Sequence, residues 1–300
     1  MIITVLGSGS NGGVPQWDCC CANCTRARVG LGPRRTRSSV AVSLESGQHV
    51  LIDATPDLKQ QLEAVGLIPR PDEAVHHRQS RIDVVLLTHG HGDHTLGIGE
   101  FSTGKSFKIP VYGPPDLIRF LFGSPGESTF FGDLGRLARN YVMPNELREV
   151  ESLVLMGGLK VMGFEVDHTD WLEDGTLFPS STYGYELEAD GNRFVYAPDL
   201  GLLTDDLLER VAGADLFMLD ATFWWDDELK RVSGLKKTSY DLGHVPVEES
   251  VEILQSVEIG RVVYTHLNHT NPLLAPDQPM ASIVEDAGIE IAHDGMVIKI

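Results

Sequence analysis

Short apolar runs broken by glycine, proline and acidic residues recur along the chain, and most are too short for a helix. Ile2–Leu6 is β-branched and ends in glycines. Ser39–Leu44 and His49–Ala54 read as strands about a Ser46-Gly47 turn. Arg81–Leu87 predicts a buried strand, and Lys108–Tyr112 a shorter one ahead of Gly113-Pro114-Pro115. Strand signals dominate from Ser152 to Glu188, and Phe194–Ala197 follows an Asp190-Gly191 turn. Asp215–Leu219 and Arg261–Thr265 are further strands, and Ile289–Ile300 predicts a hairpin about Asp294-Gly295. Helical spacing marks Asp57–Val65, Asp205–Val211, Val247–Leu254 and Ala281–Ala287. Pro69–Ser80, with His76-His77, reads as a surface loop. Gly123–Glu149 reads as a small helical insertion whose Phe130-Phe131 pair packs the core or lines a pocket. The alternation predicts an α/β sandwich, two sheets with helices outside, in one domain over residues 1–300 with the insertion at roughly 114–150.

Composition excludes several classes. Hydrophobic residues at 42% and charged residues at 22% are those of a globular chain, not a disordered or repetitive one. No apolar run reaches membrane-spanning length, and the first residues lack a basic stretch and a cleavage-type site, so a cytoplasmic protein is expected. A net charge of −19 repels a phosphate backbone, which argues against extended nucleic acid and favours a small-molecule or short peptide-derived substrate, with the chain alone or as a homodimer. Arg34, Arg35 and Arg37 form a basic run that reads as a solvated loop able to attract an anion. Gly7-Ser8-Gly9-Ser10-Asn11-Gly12 matches the dinucleotide fingerprint literally. The helix that would hold a pyrophosphate does not follow, and cysteines do.

Candidate chemistry lies at strand ends. Thr88-His89-Gly90-His91-Gly92-Asp93-His94 puts four ligand-type side chains into six residues directly after a predicted buried strand. Neutral imidazoles and a carboxylate suit Zn²⁺, Mn²⁺ or Fe²⁺, and the glycines let the backbone turn tightly between them. His168, Asp199 and His266 each close another apolar run, where a strand would deliver them to a sheet rim. All four cysteines fall at Cys19, Cys20, Cys21 and Cys24, too clustered for a disulfide framework but spaced for a soft metal. Three thiolates at Cys19, Cys21 and Cys24 need a fourth ligand for structural zinc, and His269 is the candidate. Cys20 has no part in this scheme.

The pattern His-x-His-x-Asp-His followed by a distant His, Asp and His resembles the metallo-β-lactamase fold. The resemblance implies an αββα sandwich with two metal ions at the sheet rim. It assigns His89, His91 and His168 to one ion and Asp93, His94 and His266 to the other, with Asp199 bridging and Asp53 supporting the histidine loop by hydrogen bonding. The cysteine cluster with Gly13–Trp17 and Thr265–His269 resembles the cyclic phosphodiesterase of phosphonate-degradation operons. Over residues 6 to 300 the chain is similar to the coenzyme PQQ synthesis protein B family. The similarity rests on Gly12–Trp17, Asp220–Trp224 with Asp226-Asp227-Glu228, Gly243–Pro246, Asn268–Leu274 and Ala292–Gly295. That family implies a role in making a quinone cofactor, by an oxidative step with iron or as a carrier. This chain keeps the full hydrolase-type ligand set, which family members carry in degraded form. In phosphodiesterases of the fold, a histidine at the position of His244 acts on the leaving group and an acid at that of Asp220 orients it. The expected function is therefore binuclear metal-dependent hydrolysis, phosphodiester-type, with Asp93, His244 and Asp220 as the catalytic group. The alternative is the oxidative or carrier role.

Overall fold

The structure, a computed structural model, describes residues 1–70, 79–103, 108–123, 142–168, 180–275 and 278–300. Two seven-stranded sheets face each other. The first runs β14-β1-β2-β3-β4-β5-β6, from β1 (Ile2–Gly7), β2 (Ser39–Ser43), β3 (His49–Ile52), β4 (Val84–Leu86), β5 (Ile109–Gly113), β6 (Val142–Glu146) and β14 (Val297–Lys299). The second runs β13-β12-β11-β10-β9-β8-β7, from β7 (Ser152–Val154), β8 (Lys160–Glu165), β9 (Tyr183–Ala189), β10 (Asn192–Ala197), β11 (Leu216–Asp220), β12 (Val262–Thr265) and β13 (Ile289–Ile291).

The period of two along each strand sorts its residues between layers. Ile3, Val5, Val42 and Ile52 of the first sheet meet Tyr185, Phe194, Tyr196 and Met218 of the second in a core between the sheets. The alternate residues of the first sheet, Ala41, Leu51 and Val85, pack under α2 (Leu58–Val65) and α4 (Pro115–Phe122). Those of the second, Val195, Phe217 and Leu219, pack under α5 (Asp205–Val211), α7 (Val247–Leu254) and α8 (Pro279–Asp286). Three buried layers, one central and two outer, are what an αββα sandwich requires, and this is the architecture the sequence predicts. Among the described residues, no helix is long and apolar enough to cross a membrane.

Strand direction places the site. β3 and β4 are parallel; β8 and β10 run the same way because each is antiparallel to β9; β10, β11 and β12 are parallel. Their C-terminal ends therefore collect at one rim. The sheets are tied there by the Tyr183 amide, which donates to the Thr88 carbonyl at 2.9 Å, and the Tyr185 hydroxyl, which donates to the Leu87 carbonyl at 2.5 Å.

The expected turns at Ser46-Gly47 and Asp190-Gly191 do join antiparallel strands. The latter has φ of 55° and 80°, as a two-residue hairpin turn needs. The hairpin predicted over Ile289–Ile300 does not form. β13 pairs parallel to β12 in the second sheet, whereas β14 crosses to pair antiparallel with β1 in the first. Asp294 does other work there: Oδ1 accepts from the Ser8 amide and hydroxyl at 3.0 and 2.8 Å, and Oδ2 from the Thr36 amide and hydroxyl at 2.6 and 2.8 Å. The arginine run is also tied down. Arg35 is buried and donates to Ser8 Oγ and the Ala292 carbonyl, and Arg37 pairs with Asp57 at 3.0 Å. Of the expected insertion, α4 and β6 are described; residues 124–141, with Phe130-Phe131, lie outside the described residues, as do residues 71–78 with His76-His77.

Candidate metal centres

The histidine motif turns directly off β4 into α3 (Gly92–Thr95), a one-turn helix whose first residues carry Asp93 and His94. His168 lies beyond β8, Asp199 beyond β10 and His266 immediately after β12. Ring and carboxylate atoms from all of them converge. His89, His91 and His168 form one group, and Asp93, His94 and His266 another, each with its ligand atoms within 4.8 Å of one another. Asp199 reaches both: it lies 3.2 Å from His94 Nε2 and 3.5 Å from His266 Nε2, and its Oδ1 lies 3.9 Å from His168 Nε2. The structure thus brings the residues picked out in the sequence together at one rim, and His89, His94 and Asp199 form a further close group across the two.

The fit to a metal is chemical as well as geometric. His94 Nε2, His168 Nε2, His266 Nε2 and Asp199 Oδ2 are buried and have no hydrogen-bond partner among the described residues. Four polar atoms orphaned at one point would be costly unless a cation satisfies them. Burial pushes the His89 imidazolium well below its usual value, and the neighbouring imidazoles add to this. Burial likewise brings His168 down to about 4, against the attraction of Asp199. Both rings are therefore neutral and have a lone pair to give. Burial opposes ionisation of Asp199, but the facing histidines, His266 and His94 foremost, outweigh it and hold the carboxyl well below its usual range.

The supporting contacts are equally specific. Asp53 follows β3 with φ of 65°, a left-handed conformation that costs a non-glycine residue energy. There its Oδ2 accepts from His94 Nδ1 at 2.8 Å and its Oδ1 from the Thr88 amide at 2.8 Å. His266 has φ of 60°. Its neighbour Leu267 is clasped by the glycine-rich loop: the Leu267 amide donates to the Ser8 carbonyl at 2.9 Å and the Ser10 amide to the Leu267 carbonyl at 3.0 Å. The same loop also packs against the Thr36–Arg37 segment, where a side chain at Gly7 would collide with the Arg37 carbonyl. His168 Nδ1 donates to the Gly243 carbonyl at 2.7 Å. His244 stands beside the ligands, its ring centroid 4.9 Å from that of His168, with Nδ1 donating to Asp220 Oδ2 at 2.6 Å.

The second centre is built on α1 (Ala22–Arg28), a short helix the sequence pattern did not reveal. Cys19, Cys21, Cys24 and His269 bring their ligand atoms within 4.8 Å of one another. Backbone amides already point at sulfur, Cys21 N to Cys19 Sγ and Gln16 N to Cys24 Sγ, both at 3.3 Å. Asn23 on α1 donates to the His269 and Asn271 carbonyls at 3.0 and 2.9 Å, binding the helix to the segment that carries His266. Cys20 is exposed and stands apart. A cleft of about 470 Å³ lies against this centre, lined by Cys19, Cys21, His269, Val232 and Leu235.

Glu228, for which the sequence implied no role, is fully buried at the start of α6 (Glu228–Ser233) and accepts from the Trp224 amide at 2.6 Å and from the Thr270 hydroxyl. Burial raises its carboxyl from 4.5 to about 7, against those two bonds. A folded-state pKa above the unfolded one means stability is fully present below about 4.5 and declines as pH rises through about 7. The difference in unfolding free energy between the wild type and Glu228→Gln, measured by urea titration, should therefore shift toward the variant by roughly 3 kcal/mol between pH 4.5 and pH 8. A difference that does not vary with pH would show that Glu228 titrates in the folded protein as it does in the unfolded chain.

With this geometry in hand, the chain's relatives are informative. The beta-lactamase superfamily domain matches residues 48–267, and the chain belongs to that superfamily. Within it, the chain belongs to the coenzyme PQQ synthesis protein B family: the protein of that name from Methylorubrum extorquens (strain PA1) is 35% identical over 312 residues, covering 100% of both chains. The crystal structure of Zn²⁺-bound PqqB from Methylobacterium extorquens superposes with a TM-score of 0.89 at 32% identity, covering 100% of both. A diphosphatase from the PhnP family superposes with a TM-score of 0.70 at 26% identity, covering 100% of this chain and 97% of that one. Family, fold and clustered ligands are together those of a metal-dependent enzyme.

Proposed function

We infer that the chain is a binuclear metal-dependent hydrolase with a phosphodiester-type substrate. The observation that carries the reading is the Asp220–His244 pair set against the convergent ligands: the 2.6 Å bond ties up Nδ1 and leaves the Nε2 proton to be given away. Burial disfavours the His244 imidazolium, but Asp220, then Asp199 and Asp93, outweigh it and raise its pKa above the usual histidine value. That shift favours the charged ring, which is able to protonate a leaving oxygen. Asp93 is held ionised, well below its usual value, because His94 and His266 outweigh its burial, and its Oδ2 is an acceptor for the proton of an attacking water. Bound at His89, His91, Asp93, His94, His168, Asp199 and His266, two metal ions would polarise the ester and make a water nucleophilic. The structural neighbour that is a diphosphatase supports phosphorus as the reaction centre.

His244→Ala should slow hydrolysis by about 10²–10⁴-fold and leave metal content unchanged. The loss should be far larger for an alkyl phosphodiester, whose alkoxide needs the proton, than for bis-p-nitrophenyl phosphate, whose leaving group hardly does. Equal losses on both would make His244 a binding or structural residue. The names of the 35%-identical relatives support a second reading, an iron-dependent oxidative step or a carrier role in making the PQQ cofactor. Iron-loaded protein that consumes oxygen, with no turnover of either diester by zinc- or manganese-loaded protein, would establish it instead.

A further inference from the structure

The rim of each sheet carries the same small assembly, and it explains how the ligand rings are aimed. At the end of β11, Asp220 Oδ1 accepts from the Thr222 amide at 2.7 Å and the Thr222 hydroxyl at 2.6 Å, while Oδ2 accepts from His244 Nδ1 and from the Leu200 amide at 3.0 Å. Four donors saturate the carboxylate, so the single hydroxyl proton of Thr222 is committed to it; an O···O contact of 2.6 Å without that proton would set two acceptors against each other. Thr222 Oγ1 also lies 2.8 Å from His266 Nδ1. With its proton already given, the hydroxyl can there only accept, so His266 carries its proton on Nδ1. Its Nε2, the buried atom without a partner, is then a bare lone pair.

The first sheet repeats the arrangement. The Thr88 hydroxyl lies 3.0 Å from both oxygens of Asp53 and 2.9 Å from His89 Nδ1, while Asp53 Oδ2 takes the Nδ1 proton of His94 directly. Each aspartate thus orients one histidine itself, His94 or His244, and a second through a threonine, His89 or His266; Thr222 Oγ1 also lies 3.1 Å from His244 Nδ1, outside the shorter bond to Asp220. Both threonines are buried, so no water competes for these bonds.

We propose that Thr222 and Thr88 are positioning residues, each hydroxyl relaying the pull of a strand-end aspartate to the Nδ1 of one ligand histidine so that Nε2 faces the metal centre unprotonated. The proposal rests on the assignment of His89 and His266 as ligands. The steric alternative, in which threonine merely fills space, predicts that its methyl rather than its hydroxyl matters, and the two are separable. Valine keeps the shape and removes the hydroxyl; serine keeps the hydroxyl.

The test is zinc binding by the full chain, followed by chelator competition. Thr222→Val should weaken binding at the histidine centre by about 10- to 100-fold, with Thr88→Val acting similarly, while Thr222→Ser stays near the wild type and the thiolate zinc is kept in all three. Binding by Thr222→Val equal to wild type, or Thr222→Ser as weak as Thr222→Val, would overturn the relay. A measurement on unmutated protein holds even where a variant fails to fold: two-bond ¹H–¹⁵N spectra of the zinc-free chain should show His266 and His89 as Nδ1–H tautomers, and Nε2–H tautomers would refute it. His266→Ala is the reference. If it binds as much zinc as wild type, the ligand assignment fails; if it loses zinc and Thr222→Val does not, only the relay fails.

Discussion

Asp199→Ala should fold with an unchanged far-ultraviolet circular dichroism spectrum and retain less than about one-thousandth of wild-type turnover, with zinc at the histidine centre depleted. The side chain belongs to none of the apolar core clusters, so its loss leaves the three packed layers intact. Its role is electrostatic. It stands 3.2 Å from His94 Nε2 and 3.5 Å from His266 Nε2 on one side and 3.9 Å from His168 Nε2 on the other, a carboxylate within reach of both groups. A thousandfold in rate is about 4 kcal/mol. A carboxylate in contact with a divalent ion in a buried site exceeds that amount even at an effective dielectric of about 20. Removing it also leaves like charges facing each other across the centre. Asp199→Asn tests charge against shape, since it keeps the volume and one acceptor oxygen; it should fail nearly as badly. Turnover within tenfold of wild type together with full metal content in either variant would mean that the binuclear centre has been misassigned.

The residues proposed for that centre were legible because their chemistry is local or positional. His89, His91, Asp93 and His94 are neighbours in sequence, and His168, Asp199 and His266 each close an apolar run, which puts a polar residue at a sheet rim whatever the topology. Strand partners are a different matter. The period of two in Ile289–Ile291 and Val297–Lys299 marks strands but carries nothing about which sheet each joins, and an Asp-Gly pair between them mimics a hairpin turn. The charge of Arg35 suggested solvent; its burial depends on Ser8 and the Ala292 carbonyl, far away in sequence. The helices α1 and α6 carry too few apolar residues for a helical period to emerge. Thr88 and Thr222 stand inside the quoted motifs, but threonine after a strand is common, and only the distances to an aspartate on one side and a ring nitrogen on the other give it a role.

Cys21→Ala should bind one zinc fewer than wild type and lose roughly 4 kcal/mol of unfolding free energy when wild type is measured with free zinc about a thousandfold above its dissociation constant. Where zinc binding and folding are a single event, as in small zinc domains, the metal is worth about 10 kcal/mol or more. Here three apolar clusters form without it, so the cost is set by mass action on a folded site rather than by the whole of folding. The site joins distant parts of the chain: Cys21 Sγ lies 3.5 Å from His269 Nδ1, across 248 positions of sequence, and Asn23 beside it holds the His269 carbonyl. His269 is three residues from His266, so the loss should also loosen the ligand loop and weaken zinc at the histidine centre. Burial pushes the Cys24 thiol up to about 12 and raises Cys21 as well, so zinc must displace protons from them and its affinity for this site should rise between pH 6 and pH 8. Cys20→Ala, at an exposed position outside the cluster, should match wild type in both zinc content and stability. A Cys21→Ala protein with full zinc content and wild-type stability would defeat the thiolate assignment, and a Cys20→Ala protein that loses zinc would move a ligand from Cys21 or Cys19 to its neighbour.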